Sequence, residues 1–268
     1  MTGQRDDGYH LLDSLVVFAD TTDHLTATPA ADLTLTVSGP FAQGVPKGHT
    51  NLMIRAAEVL RTASGITTGA AMTLEKNLPH AAGIGSGSSD AAATLGMLAK
   101  LWDVAPLPAE AWQVLALGAD VPVCMHAPNA VRMSGIGEVL ASIPALPDCA
   151  LVLVRPPVEV PTGAVFNGLA MKQGTPMASV PKNLDFVGFV TWLAAQRNDL
   201  QPPAKTLAPQ IAMTIAALDA LPDVAFAGMS GSGATCFAVV QDLDVARRVA
   251  GVMQAAHPAW WIVPADVL

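Results

Sequence analysis

The chain has 268 residues, enough to bury a large core in one sizeable domain or two compact lobes. Half of the residues are apolar and only 13% are charged, which excludes a disordered, solvating chain. A formal charge of −8, with 14 basic residues spread thinly, leaves no footprint for nucleic acid, although helix-start amides can still hold a small anion.

Cys124, Cys149 and Cys236 lie too far apart for a C-x-x-C metal site and form no paired disulfide framework. A reducing, cytoplasmic setting is expected. The first ten residues, Met1 to His10, are polar, and no run of about 18 apolar residues occurs, so no membrane segment is expected.

In chain order, Leu15 to Phe18 is a short apolar run bounded by Asp13 and Asp20, and Leu33, Leu35 and Val37 alternate with polar residues; both predict strands. Leu52, Ala56, Val59 and Leu60 fall at helical spacing, with Asn51 as cap and Gly65 as stop. Met72 and Leu74 predict a strand, and Leu95, Leu98 and Trp102 mark a helix starting near Ser88 to Asp90. A short helix follows Pro106 and Pro108. Then comes the turn Gly118-Ala119-Asp120-Val121-Pro122, in which the proline pushes Val121 toward an extended conformation and leaves Asp120 on a loop.

Leu151 to Val154 predicts a strand after the segment Pro144 to Asp148, which places a domain boundary there and divides the chain into residues 1–146 and 147–268. The second part holds a helix through Ile211, Ile215 and Leu218, a strand at Cys236 to Val240 and a last helix through Val245, Val249 and Val252. Strands and helices mix without a strict β-α-β rhythm, and no internal repeat or low-complexity tract is present.

The strongest chemical signal is Leu78-Pro79-His80-Ala81-Ala82-Gly83-Ile84-Gly85-Ser86-Gly87-Ser88-Ser89-Asp90, set between a strand and a helix. Alternate glycines let backbone approach a ligand, the serines add hydroxyl donors, and the helix aims its free N–H groups at the same point, as a bound phosphate requires. A plain Gly/Ser connection is the alternative. No Gly-Lys-Ser/Thr follows, no G-x-G-x-x-G fingerprint occurs here, and neither G-x-S-x-G nor H-E-x-x-H is present, so P-loop, dinucleotide, esterase and zinc-protease readings lose their usual support.

This loop resembles the P-x-x-x-G-[IL]-G-S/G-x-S-S motif of the GHMP kinases. Gly228-Met229-Ser230-Gly231-Ser232-Gly233-Ala234-Thr235-Cys236-Phe237 resembles the C-terminal glycine motif of that family, and Gly118 to Pro122 resembles the segment holding its catalytic aspartate. Within the family, Arg5-Asp6-Asp7-Gly8-Tyr9-His10-Leu11-Leu12-Asp13-Ser14-Leu15 points to a member whose acceptor is a cytidine-diphosphate-bearing alcohol, with support from Val160 to Phe166 and Asn198-Asp199-Leu200. The resemblance spans nearly the whole chain.

The resemblance implies an α+β fold of two lobes: an N-lobe like ribosomal protein S5 domain 2, and a C-lobe α/β sandwich with helices on an antiparallel sheet. It implies transfer of the ATP γ-phosphoryl to a tertiary hydroxyl in the non-mevalonate isoprenoid pathway, with Mg2+ accompanying ATP, no dedicated metal cluster in the protein, and a monomer or homodimer. Asp120 would be the catalytic base, with a turn-forming aspartate as the bland alternative. Asn51, Lys76, Pro79, Ala81, Ala82, Gly83, Ile84, Gly85, Ser86, Gly87, Ser88 and Ser89 would bind ATP, although a lone lysine at a strand end is ordinarily just solvated. Tyr9, His10, Thr162, Phe166, Gly231 and Ser232 would bind the cytidine substrate; taken alone, the Tyr-His pair reads as surface and Phe166 as core.

Family members carry an upstream strand with Ala-Lys-Ile-Asn-Leu, whose lysine would sit beside the aspartate and the hydroxyl. Here Met1-Thr2-Gly3-Gln4 opens the chain. A start placed too late is the favoured reading, ahead of a natural variant that binds ligands without turning them over; another GHMP kinase is a further alternative.

Overall fold

The computed structural model describes residues 1–268. In chain order it comprises β1 (Gly3–Gln4), β2 (His10–Val16), β3 (His24–Ala30), β4 (Leu33–Ser38), α1 (Leu52–Ser64), β5 (Gly69–Glu75), α2 (Ser86–Leu101), α3 (Trp112–Leu117), α4 (Val121–Cys124), β6 (Val131–Gly135), β7 (Val139–Ser142), β8 (Ala150–Arg155) and α5 (Thr162–Asn167). It continues with α6 (Phe186–Ala194), α7 (Gln201–Leu207), α8 (Pro209–Asp219), β9 (Phe226–Met229), β10 (Cys236–Val240), α9 (Leu243–Ala256) and β11 (Trp261–Asp266).

Three sheets organise these elements, with strand orders β1-β2-β6-β7, β3-β5-β4 and β11-β8-β10-β9. In the second sheet β3 is antiparallel and β4 parallel to β5; the other two sheets are antiparallel throughout. Helices α1 and α2 cover the β3-β5-β4 sheet, and Leu60, Met72, Leu74, Leu95 and Leu98 meet in one core there. Asn51 caps α1 by accepting from the Met53 N–H, and Gly65 ends the helix in the left-handed conformation at φ 67°, as their residue types predict.

The apolar run of β8 is explained by its two faces. Ala150, Val152 and Val154 enter a core shared with α5, α7, α8 and α9, whereas Leu151 and Leu153 enter another shared with Phe189 and Trp192 of α6. A strand buried on both sides has no position for a polar residue, so it reads as a continuous apolar stretch. The second of these cores also takes Leu15 and Val17, which joins the β1-β2-β6-β7 sheet to the C-terminal part of the chain.

Three local expectations are corrected. Asp13 lies inside β2 instead of bounding it, because Arg132 on the adjacent β6 binds its carboxylate through Nε at 2.7 Å and a guanidinium nitrogen at 2.6 Å, and the Met177 N–H donates to it at 2.9 Å. Helix α2 begins at Ser86, two residues before the expected start, with Gly85 at φ 67° making the turn. Val121 is helical, not extended: Pro122 occupies the first turn of α4, where no backbone donor is needed, and the fully buried Val121 side chain fixes the turn in the core.

Leu60 has no exposed surface, so Leu60→Ala removes a packed side chain from between α1 and its neighbours. The expected loss is about 3 kcal/mol of unfolding free energy, read as a lower urea midpoint with unchanged slope.

Candidate active site

The segment between β5 and α2 turns back toward the C-terminal sheet. Gly83 adopts φ +75°, and a Cβ there would lie 2.5 Å from the Gly233 carbonyl oxygen, so only glycine permits this approach. The Ser230 hydroxyl donates to the Gly83 carbonyl at 2.8 Å, and the Thr235 N–H donates to the Ala82 carbonyl at 3.1 Å. Two glycine motifs about 150 residues apart thus form one wall (separation 147 for the Ser230–Gly83 bond).

Along this wall the backbone N–H groups from His80 to Ser88 donate to no acceptor in the chain. Loop residues contribute other atoms to structure: the Ser86 hydroxyl donates to the Pro79 carbonyl at 3.2 Å, and the Ala82 and Gly83 carbonyls are used as described. What remains is a run of unpaired amides, Ile84, Gly85, Gly87 and Ser88 among them, leading into the positive end of a 16-residue helix. Ser89 departs from this pattern, since its N–H already bonds the Gly85 carbonyl at 2.9 Å.

Beside the loop lies a cavity of about 160 Å³ lined by Asn51, Leu52, Leu74, Lys76, His80 and Asp90, among others. Asn51 has both ends of its amide engaged: Nδ2 donates to the Pro46 carbonyl at 2.7 Å and Oδ1 accepts from the Met53 N–H at 2.8 Å. It shapes the cavity wall.

Lys76 is not solvated, contrary to the ordinary expectation for a lysine at a strand end. Its side chain is 2% exposed and its Nζ donates to Asp23 Oδ2 at 2.5 Å and to Asp90 Oδ2 at 2.8 Å. Burial pushes the Asp90 carboxyl up to about 6; the Lys76 charge opposes that rise and Asp23 adds to it. Asp23 and Asp90 were not among the residues singled out from the sequence, although Asp90 closes the glycine motif.

Asp120 precedes α4 and sits near α2: the Ser88 hydroxyl lies 4.0 Å from where a Cβ on Gly118 would be. The residue is exposed, yet neighbouring protein atoms partly desolvate its carboxyl and raise its pKa. The charges of Asp120 and Asp90 together help push the Cys124 thiol, already desolvated by burial, up to about 12.

Of the residues expected to meet the cytidine substrate, His10, Phe166, Thr162 and Ser232 come together around α5. The His10 and Phe166 rings are 5.1 Å apart with a 38° tilt, and the Thr162 and Ser232 hydroxyls are 3.0 Å apart. Tyr9 is 59% exposed beside His10, and His10 Nδ1 is buried without a partner, its pKa lowered by burial and then by Lys172. Gly231 adopts φ +50°, and Asn198 Nδ2 fixes its carbonyl at 2.8 Å and that of Met229 at 2.9 Å. Asn198 stood in a matched segment, but only the folded chain shows what it holds. No group of three or more His, Cys, Asp or Glu side chains converges as a metal cage.

Comparison with known proteins places this geometry in a family. The GHMP kinases N terminal domain matches residues 51–142, and the GHMP kinases C terminal domain matches residues 188–259. The chain belongs to the GHMP kinases. It is 53% identical to the 4-diphosphocytidyl-2-C-methyl-D-erythritol kinase of Cereibacter sphaeroides, over 100% of this chain and 94% of that protein. It is 49% identical to the kinase of the same name from Paramagnetospirillum magneticum, again over 100% and 94%. A crystal structure of 4-(cytidine 5'-diphospho)-2C-methyl-D-erythritol kinase superposes with a TM-score of 0.76 at 30% identity, covering 99% of this chain and 93% of that one. Homoserine kinase from Cytophaga hutchinsonii shares the fold, with a TM-score of 0.69 at 18% identity over 94% and 89%.

The raised Asp90 carboxyl has a consequence for stability. The folded chain holds this proton up to about pH 6, whereas the unfolded chain releases it near 3.8. Its contribution is therefore complete below about pH 4 and falls as pH rises toward about pH 6. Asp90→Asn, which keeps an acceptor for Lys76, is expected to flatten that part of the stability curve when denaturant midpoints are compared across the window.

Proposed function

We propose that this chain transfers the γ-phosphoryl group of ATP to the 2-hydroxyl of 4-diphosphocytidyl-2-C-methyl-D-erythritol, a step toward isoprenoid precursors. The observation that carries the reading is the run of unpaired amides from His80 to Ser88 at the start of α2, with Asp120 close by. Such amides bind phosphate oxygens without any net positive charge on the protein.

In this reading residues 1–146 form the lobe carrying the ATP loop and Asp120, and residues 147–268 form the lobe completing the substrate side. The adenosine moiety takes the cavity beside Asn51 and Lys76, and its phosphates run along the loop toward Asp120. The cytosine end rests on Tyr9, His10 and Phe166, with Thr162 and Ser232 as hydroxyl partners and Gly231 shaping the turn. The relatives' names supply the substrate; the paired aromatic and hydroxyl groups fit a cytosine ring with an attached diphosphate.

Asp120 accepts the hydroxyl proton, the alcohol oxygen bonds to the γ-phosphorus, and the bond from that phosphorus to the β–γ bridging oxygen breaks to release ADP. The loop amides hold the charge on the equatorial and bridging oxygens, where fixed dipoles act without rearranging. The Ser88 hydroxyl, free of any partner in the chain, would be an oxygen donor to magnesium alongside phosphate oxygens and water. When bound with ATP, magnesium neutralises β/γ charge. The chain acts in the cytoplasm, as a monomer or a homodimer; its three cysteines are all free, and no helix is long and apolar enough to cross a membrane.

A coupled ADP-release assay with ATP and the cytidine alcohol tests the assignment. Asp120→Ala is expected to lower kcat by a factor of roughly 10²–10⁴ with little change in ATP affinity, and the parent's kcat is expected to rise with pH as the Asp120 carboxyl ionises. Equal turnover by the variant refutes the role given to Asp120; ATP binding without transfer by the parent refutes the reaction.

A further inference from the structure

The loop from Pro79 to Gly85 has no backbone N–H bonds of its own from His80 onward; Ser230 and Thr235 hold its middle through the Gly83 and Ala82 carbonyls, and its two ends need holders of their own. One carboxylate reaches both. Asp23, immediately before β3, accepts from the Asn77 N–H at 2.6 Å and the Leu78 N–H at 2.8 Å through Oδ1, and from Lys76 Nζ at 2.5 Å through Oδ2. Three consecutive residues leading into the loop are thereby fixed on one side chain that is itself 2% exposed. Lys76 then passes the constraint to the far end, donating at 2.8 Å to Asp90 in the second turn of α2.

We propose that Asp23 is a positioning residue for nucleotide binding: it anchors the start of the phosphate loop directly and its end through Lys76 and Asp90. Asp23 stands outside every glycine motif of the chain and touches no loop amide from His80 onward. Its effect is geometric. With Asp23 in place, the amides from Gly83 to Ser88 face the cleft in one arrangement; without it, Lys76 retains only Asp90, and the Asn77 and Leu78 amides lose their acceptor. The chain of contacts spans 53 residues from Asp23 to Lys76 and 14 more to Asp90, so one side chain just before β3 secures both ends of a loop whose middle rests on Ser230 and Thr235.

This inference rests on the nucleotide reading above, and the test separates the two. Isothermal titration with ATP and with cytidine 5′-diphosphate is run on the parent chain, Asp23→Asn and Asp23→Ala. The asparagine variant keeps an oxygen for the two amides and loses only the charge that holds Lys76, so it reports even if the alanine variant fails to fold. Displacement of the loop by about 1 Å is expected to weaken ATP roughly 10- to 100-fold in Asp23→Asn, with a matching rise in KM for ATP. Affinity for cytidine 5′-diphosphate should change less than about twofold, because His10, Phe166, Thr162 and Ser232 share no hydrogen bond with Asp23, Lys76 or Asp90. Unchanged ATP affinity, or equal weakening of both ligands, overturns the positioning role while leaving the proposed reaction intact. Failure of the parent to bind ATP overturns both.

Discussion

Unpaired backbone amides are costly to bury and easy to satisfy with an anion, and the run from His80 to Ser88 constrains everything around it. The segment cannot stabilise itself by a ladder or a helix before Ser86, so the neighbouring elements hold its carbonyls and its ends instead. Ser230 and Thr235 take the Gly83 and Ala82 carbonyls, glycines at 83 and 231 allow the two backbones to touch, and the Asp23–Lys76–Asp90 triad closes the base. The N–H groups from His80 to Ser88 are left without an acceptor in the chain.

The same arrangement reconciles an acidic chain with a polyanionic ligand. A formal charge of −8 would repel a triphosphate at long range, but within a few ångströms the local dipoles decide, since charges beyond about 10 Å are screened by salt. Lys76, the cation lining the cavity, is neutralised by two carboxylates and contributes no free charge. In the proposed reading, binding therefore depends on amide geometry, and geometry on the anchors. Partial desolvation raises the Asp120 carboxyl pKa, which suits it to the base role proposed for it.

Local signals in the sequence were legible where local physics decides. Asn51 and Gly65 bounded α1, the apolar run of β8 marked a strand, and the glycine motif announced the loop. Strands β3 and β11 were missed because Pro29 and Pro264 break their pattern; both strands are edges of their sheets, where a missing N–H costs no ladder bond. Asp13 looked like a boundary because its partner Arg132 is 119 residues away, and the buried ion pair of Lys76, read as an ATP contact, gave no sign because Asp23 is 53 residues away. Charged residues whose partners are distant in the chain carry no periodic or local signature. Asn198, which secures the Met229 and Gly231 carbonyls, was hidden for the same reason.

The most direct measurement is a crystal structure of the protein with magnesium and a non-hydrolysable ATP analogue. The account requires phosphate oxygens within about 3 Å of N–H groups between Gly83 and Ser88, with the terminal phosphate facing Asp120. A triphosphate bound elsewhere in the cleft, with those amides still unbonded, would contradict it.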